Sequence, residues 1–256
     1  MGDTKGLVMV NKVVVVTGSS RGIGAQTAKL FAEQGYAVVL NYLHAKDKAE
    51  QLKQEISLLG VACIAVQADV SNESDVEHLF KQADTLGPLS VLVNNAGVLE
   101  QQSRLEDISV ERFKRLLEVN VLSCFMCSKE AIKRMSIKQG GTGGAIVNVS
   151  SGAAKTGSPN EYIDYAATKG AIDSLTRGVA MEVADEGIRV NGVRPGLIYT
   201  QMHASGGESN RVDRLQNIVP LKRGGTTEEV AEAIFWLANE KSSFVTGSFI
   251  DVSGGL

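Results

Sequence analysis

Lys12–Gly24 reads KVVVVTGSSRGIG: four valines in a row, then a loop carrying Gly18, Gly22 and Gly24. The β-branched run predicts a strand over Lys12–Thr17, and the apolar spacing after it predicts a helix over Gly22–Glu33. A strand that passes through glycines straight into a helix suits a diphosphate. Glycine lets the backbone turn sharply and approach phosphate oxygens, while the helix start offers unbonded N–H groups and the positive end of its dipole. A lone glycine pattern is weak evidence. Strand, loop and helix in the required order make it much stronger.

The same alternation repeats outward from this unit. Ala37–Asn41, Val61–Gln67, Leu89–Val93, Ala145–Val149, Ile188–Val193 and Ser248–Val252 read as further strands. Lys46–Leu59, Glu73–Leu86, Val110–Met135, Tyr165–Ala184 and Thr227–Ala238 read as helices, with Ser71 or Asn72 capping the second of these. Continuously apolar strands separated by helices imply parallel pairing with both faces covered. The expectation is one α/β domain over 1–256, a doubly wound sheet of about seven parallel strands with helices on both faces. Two connections stand out: Gln139–Gly144 (QGGTGG) as a flexible link, and Thr200–Pro220, long enough to be a lid over a site.

Composition excludes several function classes. A chain of 256 residues buries about 70% of the surface its unfolded form exposes, enough for a core without staples. With 43% apolar and 21% charged residues and only 4 Pro, it is neither disordered nor fibrous. A net charge of −3 argues against a nucleic-acid or anionic-lipid surface. Three cysteines argue for a reducing compartment rather than a disulfide framework. No apolar run is long enough for a membrane span, and MGDTKGLVMV is too short in its apolar part for a signal peptide. Gly2 lacks the Ser or Thr that myristoylation wants at the sixth position, where Gly6 stands. A cytoplasmic protein is expected.

The spacing TGxxxGxG over Thr17–Gly24 resembles that of the short-chain dehydrogenase/reductase family, and the resemblance extends over nearly the whole chain. Asp69 follows the third strand, Asn94-Asn95-Ala96-Gly97 ends the fourth, and Asn120 lies in the long helix. Ser150-Ser151 ends the fifth strand, Tyr165-Ala166-Ala167-Thr168-Lys169 matches YxxxK, and Pro195-Gly196 with Thr200 follows the sixth. The resemblance implies a Rossmann-type fold and a nicotinamide cofactor. Its contacts would be Gly18, Ser20, Arg21, Gly22, Ile23, Gly24, Asn41, Asp69, Val70, Asn95, Gly97, Tyr165, Lys169, Pro195, Gly196, Ile198 and Thr200. Within the family the chain is similar to 3-oxoacyl-carrier-protein reductases and to sugar dehydrogenases such as glucose dehydrogenase.

The residues make chemical sense on their own. Tyr165 and Lys169 are four apart on an expected helix and share a face. A phenol is a poor acid at neutral pH; a nearby ammonium lowers its pKa and makes it a usable proton donor as hydride reaches a carbonyl. A hydroxyl facing the carbonyl oxygen completes such a site. The resemblance implies Tyr165 as acid/base, Lys169 as its activator and ribose ligand, and Asn120 in a water-mediated relay. The serine often lies 13 residues before the tyrosine, where this chain has Gly152. Alignment on the strand end gives Ser151 instead, with Ser150 as the alternative.

NAD-preferring sites usually carry a carboxylate at the end of the second strand. Here that stretch is Val38–His44 (VVLNYLH), with Tyr42 at the acid's position and no carboxylate before Asp47. Arg21 in the loop suits a 2′-phosphate, and His44, Lys46 and Lys48 add positive charge. NADP is expected, with NAD possible as a second substrate.

Other motifs are read as structural. Cys124 and Cys127 form a CxxC inside a helical stretch with no second pair, and His44, His78 and His203 are scattered, so no metal is expected. His203 lies in the lid and is a candidate substrate contact. The sequons at Asn72 and Asn148 lack a secretory signal. The two long helices carry more apolar surface than one sheet face can cover; a second copy would cover it, and the resemblance implies a homotetramer. Overall the chain is expected to be an NADP-dependent oxidoreductase acting on a carbonyl or secondary alcohol, either a 3-oxoacyl thioester or a sugar or other small alcohol. The rival reading is a non-catalytic dinucleotide sensor, which loss of Tyr165 or Lys169 would have favoured.

Overall fold

A computed structural model describes residues 12–256. The stretch Met1–Val10, on which the expectations about a signal peptide and Gly2 rest, lies outside the described residues. The strands are β1 (Val13–Val16), β2 (Ala37–Tyr42), β3 (Cys63–Gln67), β4 (Leu89–Asn94), β5 (Gly144–Val149), β6 (Ile188–Pro195) and β7 (Phe249–Val252). They form one parallel sheet in the order β3-β2-β1-β4-β5-β6-β7.

The valines of β1 show why the sheet has two cores. All four are fully buried, and alternate side chains go to opposite faces. Val13 and Val15 meet α3 (Glu73–Asp84), α5 (Ser123–Met135) and α7 (Ile163–Val183) through Leu79, Phe80, Met126, Met135 and Val183. Val14 and Val16 meet α1 (Gly22–Glu33), α2 (Lys46–Ser57) and α10 (Thr227–Ala238) through Phe31, Ile56, Ile234 and Leu237. The strand order reverses between β1 and β4, which opens a crevice at their C-terminal ends. Local signals fix the helix starts: Asn72 caps α3 by accepting from the amides of Ser74 and Asp75, and Thr226 and Glu229 form a reciprocal cap on α10.

Several expectations need correction. The long helical stretch expected over Val110–Met135 is present, but not as a uniform α-helix: α4 (Val110–Leu117) runs into α5 through a wide π-type turn over Glu118–Leu122. The turn carries Asn120, which is 1% exposed and bound to the Val98 main chain, a tertiary tie that helical periodicity does not encode. A short helix, α6 (Ala153–Thr156), follows β5, and the 200–220 stretch folds partly into α8 (Met202–Ser205) and α9 (Arg211–Leu215). The glycine-rich link after α5 is tied down: Gly141 donates to the Ser136 carbonyl and Gly143 to that of Met135.

Candidate active site

The glycine loop is braced from both neighbouring strands. Gly18 has φ +61°, and a Cβ there would come within 3.0 Å of Ala96 Cα. At Gly24 a Cβ would lie 2.4 Å from Asn95 Nδ2, which donates instead to the carbonyls of Thr17 (2.9 Å) and Gly18 (3.0 Å). The Thr17 hydroxyl accepts from the amides of Asn95 and Ala96. From β2, Asn41 accepts from the Gly18 amide at 3.0 Å and donates to the Ala68 carbonyl at 3.0 Å, so its side chain is spent as a strut behind the loop. Tyr42 is buried. Asp69 turns its carboxylate to the amide and hydroxyl of Ser71, and Val70 is buried beside it. Helix α1 starts at exposed Arg21 with no side-chain cap, so its first N–H groups face outward beside the glycines. That cradle fits a dinucleotide diphosphate.

The expected catalytic residues converge from three places. Helix α7 carries Tyr165 and Lys169 one turn apart, with Lys169 Nζ 5.5 Å from the Tyr165 ring centroid and donating to the Val149 carbonyl at 2.8 Å. At the end of β5 Ser151 lines the same cavity as Tyr165, and its hydroxyl accepts from the Ala153 amide at 3.1 Å. In the π-type turn Asn120 Oδ1 accepts from the Val98 amide at 2.8 Å, while Nδ2 donates to the Val98 carbonyl and the Thr168 hydroxyl. Gly97 is where these groups meet: a Cβ on it would sit 3.3 Å from Asn120 Oδ1 and 3.5 Å from Lys169 Nζ. Ser150 is turned away, donating to Asp173 Oδ1 at 2.6 Å.

Tyr165, Lys169 and Ser151 line a cavity of about 260 Å³, together with Asn95 and Gly97 from the β4 end and Thr200 beyond β6. Ile23, Pro195, Gly196 and Ile198, expected from sequence as cofactor contacts, line the same cavity. The electrostatics depart from expectation. Burial pushes the Tyr165 phenol up to about 12, with the Ser151 hydroxyl pulling it partly back, and burial drives Lys169 down to about 8. Desolvation sets the phenol, against the lowering by the ammonium that the sequence led us to expect. At neutral pH Tyr165 holds its proton and is poised to give it. Cys124 is buried with its thiol raised to about 12, and Cys127 is raised further, so the CxxC is apolar filling.

Two features were not read from the sequence. Asn94 donates to Asn148 Oδ1 at 2.9 Å and to the Ser128 hydroxyl at 3.1 Å, and Asn148 donates to the Thr176 hydroxyl, a buried ladder across β4, β5 and α7. Its only signal is a polar residue interrupting an apolar strand. Leu99, Tyr162 and Tyr165 with Ala153 and Met202 form a third apolar cluster, apart from the two sheet cores. Its members lie on four separate segments that only the fold brings together.

A family model described as enoyl-(acyl carrier protein) reductase matches residues 18–256. The chain is 54% identical to the uncharacterized oxidoreductase YgfF of Escherichia coli (strain K12), over 95% of this chain and 99% of that one. It is 35% identical to the 3-oxoacyl-[acyl-carrier-protein] reductase FabG of Staphylococcus epidermidis, over 96% and 99%. Among solved structures it is similar to a Serratia marcescens short-chain dehydrogenase/reductase mutant (TM-score 0.87, 33% identity, 95% of this chain and 97% of that chain). A blue fluorescent protein from a metagenomic library, in complex with NADPH, gives the same TM-score, identity and coverage. With a Rossmann-type sheet, a glycine cradle at its switch point and this similarity along nearly its whole length, the chain belongs to the short-chain dehydrogenase/reductase family of nicotinamide-dependent oxidoreductases.

Proposed function

We propose that this chain reduces a carbonyl compound to a secondary alcohol, and runs the reverse oxidation, with NADP as the preferred nucleotide. The observation that carries the reading is the buried Tyr165–Lys169–Ser151 cluster beside Gly97 and Asn120. The nicotinamide, when bound, supplies or takes the hydride. The Ser151 hydroxyl, half-buried at the end of β5, donates to the carbonyl oxygen and holds it against Tyr165. Tyr165, protonated by virtue of its burial, gives its proton to that oxygen as negative charge develops. Lys169, still an ammonium at pH 7, stabilises the phenolate left behind and donates to the ribose. Asn120 anchors the inner end of the relay that returns a proton to Tyr165.

The NADP preference rests on Arg21, exposed at the start of α1, and on the absence of a carboxylate from the end of β2. The relative solved with NADPH supports it. In this reading the chain is one domain, the 200–220 segment is its lid, and four copies assemble. Leu122 and Phe125 are exposed beside Leu117 and Leu175 on the α4–α5–α7 face, which a second copy would cover. Three unpaired cysteines fit a cytoplasmic enzyme. Steady-state assays of carbonyl and alcohol panels with NADPH and NADP test the reading. Tyr165→Phe should abolish turnover and leave nucleotide affinity nearly unchanged. A variant that kept most of the wild-type kcat would remove Tyr165 from the role.

A further inference from the structure

The cavity beyond Tyr165 has an apolar wall. Leu99, Tyr162, Ala153 and Met202 pack there, and the Tyr162 hydroxyl is occupied, donating to the Gly206 carbonyl at 3.1 Å. One cation of the lid, Arg211, also lines this end. Its side chain is 11% exposed and its guanidinium lies 5.2 Å from the Tyr162 ring centroid. Three of its five N–H donors go to carboxylates. Nη1 donates to Glu161 Oε1 at 2.9 Å, Nη2 to Glu161 Oε2 at 2.5 Å, and Nη1 also to Glu208 Oε2 at 3.3 Å. Glu208 is held in turn by Arg214 and by Gln102 at 3.0 Å. Two cations and two carboxylates cancel. Of the other cations lining the cavity, Lys155 is matched by Asp251 at 2.8 Å and Arg194 by Asp173 at 2.8 Å, while Lys169, at the Tyr165 end rather than at this wall, bonds to the Val149 carbonyl.

We infer that Arg211, masked by Glu161 and Glu208, is a specificity-determining residue that fits the substrate end of the cavity to an uncharged carbonyl compound bearing a compact apolar substituent. The inference rests on the oxidoreductase reading and deepens it. A substrate carboxylate brought to this wall would lose hydration and meet the masking carboxylates without gaining a cation. A polyhydroxylated substrate would leave hydroxyls unpaired against Leu99 and Met202. The charged lid residues, which by composition alone suit a sugar, are spent on one another. Discrimination against anions is thus a property of the mask, and removing one carboxylate while keeping its shape should reverse it.

Glu161→Gln and Glu208→Gln each unmask the guanidinium from a different side. Calorimetric titration of benzamide and benzoate into the NADP-loaded enzyme measures the preference without turnover, and kcat/KM for benzoylformate and its methyl ester with NADPH measures it during reduction. Wild type should favour benzamide and the ester. Either variant should shift both ratios towards the anion by about tenfold or more, the scale of one hydrogen bond to a charged group. The double variant Glu161→Gln with Arg211→Met should return the ratios to wild type. Unchanged ratios in both single variants, or a gain that survives loss of Arg211, would overturn the inference. Wild-type preference for benzoate would do the same. The expected binding pattern with no reduction of any carbonyl would uphold the masked pocket and sink the oxidoreductase reading instead.

Discussion

Replacing Ser150 by alanine removes a hydroxyl that donates to Asp173 at 2.6 Å, between groups that are 2% and 7% exposed. A hydrogen bond to a charged partner contributes about 1.5–3 kcal/mol, and Asp173 keeps Arg194 at 2.8 Å, which puts the loss near the lower end, about 1.5–2 kcal/mol. In a domain of this size each kcal/mol moves Tm by about 2–4 °C, so Ser150→Ala should melt about 3–8 °C lower. Ser151→Ala acts differently. That hydroxyl is half-buried and faces Tyr165, so its loss should leave Tm within about 2 °C of wild type while kcat falls about 10²–10³-fold. Circular-dichroism melts paired with kcat measured well below both transitions separate the two. If Ser150→Ala kept the wild-type Tm and lost turnover, or Ser151→Ala kept turnover, the assignment of the donor would be refuted.

Arg21→Ala should weaken NADPH binding about tenfold or more and NADH binding little, since only NADPH carries the extra phosphate; equal losses in fluorescence titrations would remove Arg21 from that role. Lys169 is held down to about 8 against 10.5 for an exposed lysine, so between those values the unfolded chain binds the extra proton and stability rises with pH. Melts of wild type and Lys169→Met should therefore differ by a constant below pH 8, then move in favour of wild type up to pH 10.5; a flat difference across that range contradicts it. Sedimentation velocity at micromolar concentration should give one species near four times 27.2 kDa, and Phe125→Asp should break it into smaller ones. Wild type near a single chain mass would rule out the tetramer.

Where the fold was legible, a local signal sufficed. The valines of β1, the apolar core of each later strand and the cap of α3, expected at Ser71 or Asn72 and found at Asn72, are written in neighbouring residues, and the sheet follows from their alternation with helices. The candidate site reads as a set of short motifs, and the fold brings Asn120 and Lys169 to Gly97 and sets Tyr165 and Ser151 along the same cavity as Lys169. What stayed hidden depends on distant partners. The π-type widening of the long helix comes with Asn120 bonding Val98 across the crevice, and α8 and α9 are too short for periodicity to register. Burial sets the Tyr165 phenol, and burial is a property of the folded cavity. The neutrality of the lid needs Glu161 and Arg211, 50 positions apart, to meet.

The position of β1 has a consequence for synthesis. This strand, the first of the described residues, ends in the middle of the sheet, flanked by β2 on one side and by β4, whose residues come much later, on the other. While the nascent chain waits for Leu89–Asn94 to leave the ribosome, Val13–Val16 present a fully apolar strand with one unsatisfied edge. Slowing translation between β2 and β4 should lengthen that exposure and increase chaperone capture and aggregation. The same slowing after β6 should leave no central strand edge open, because of the strands only the outermost, β7, is then still to dock, with α10 still to cover one face.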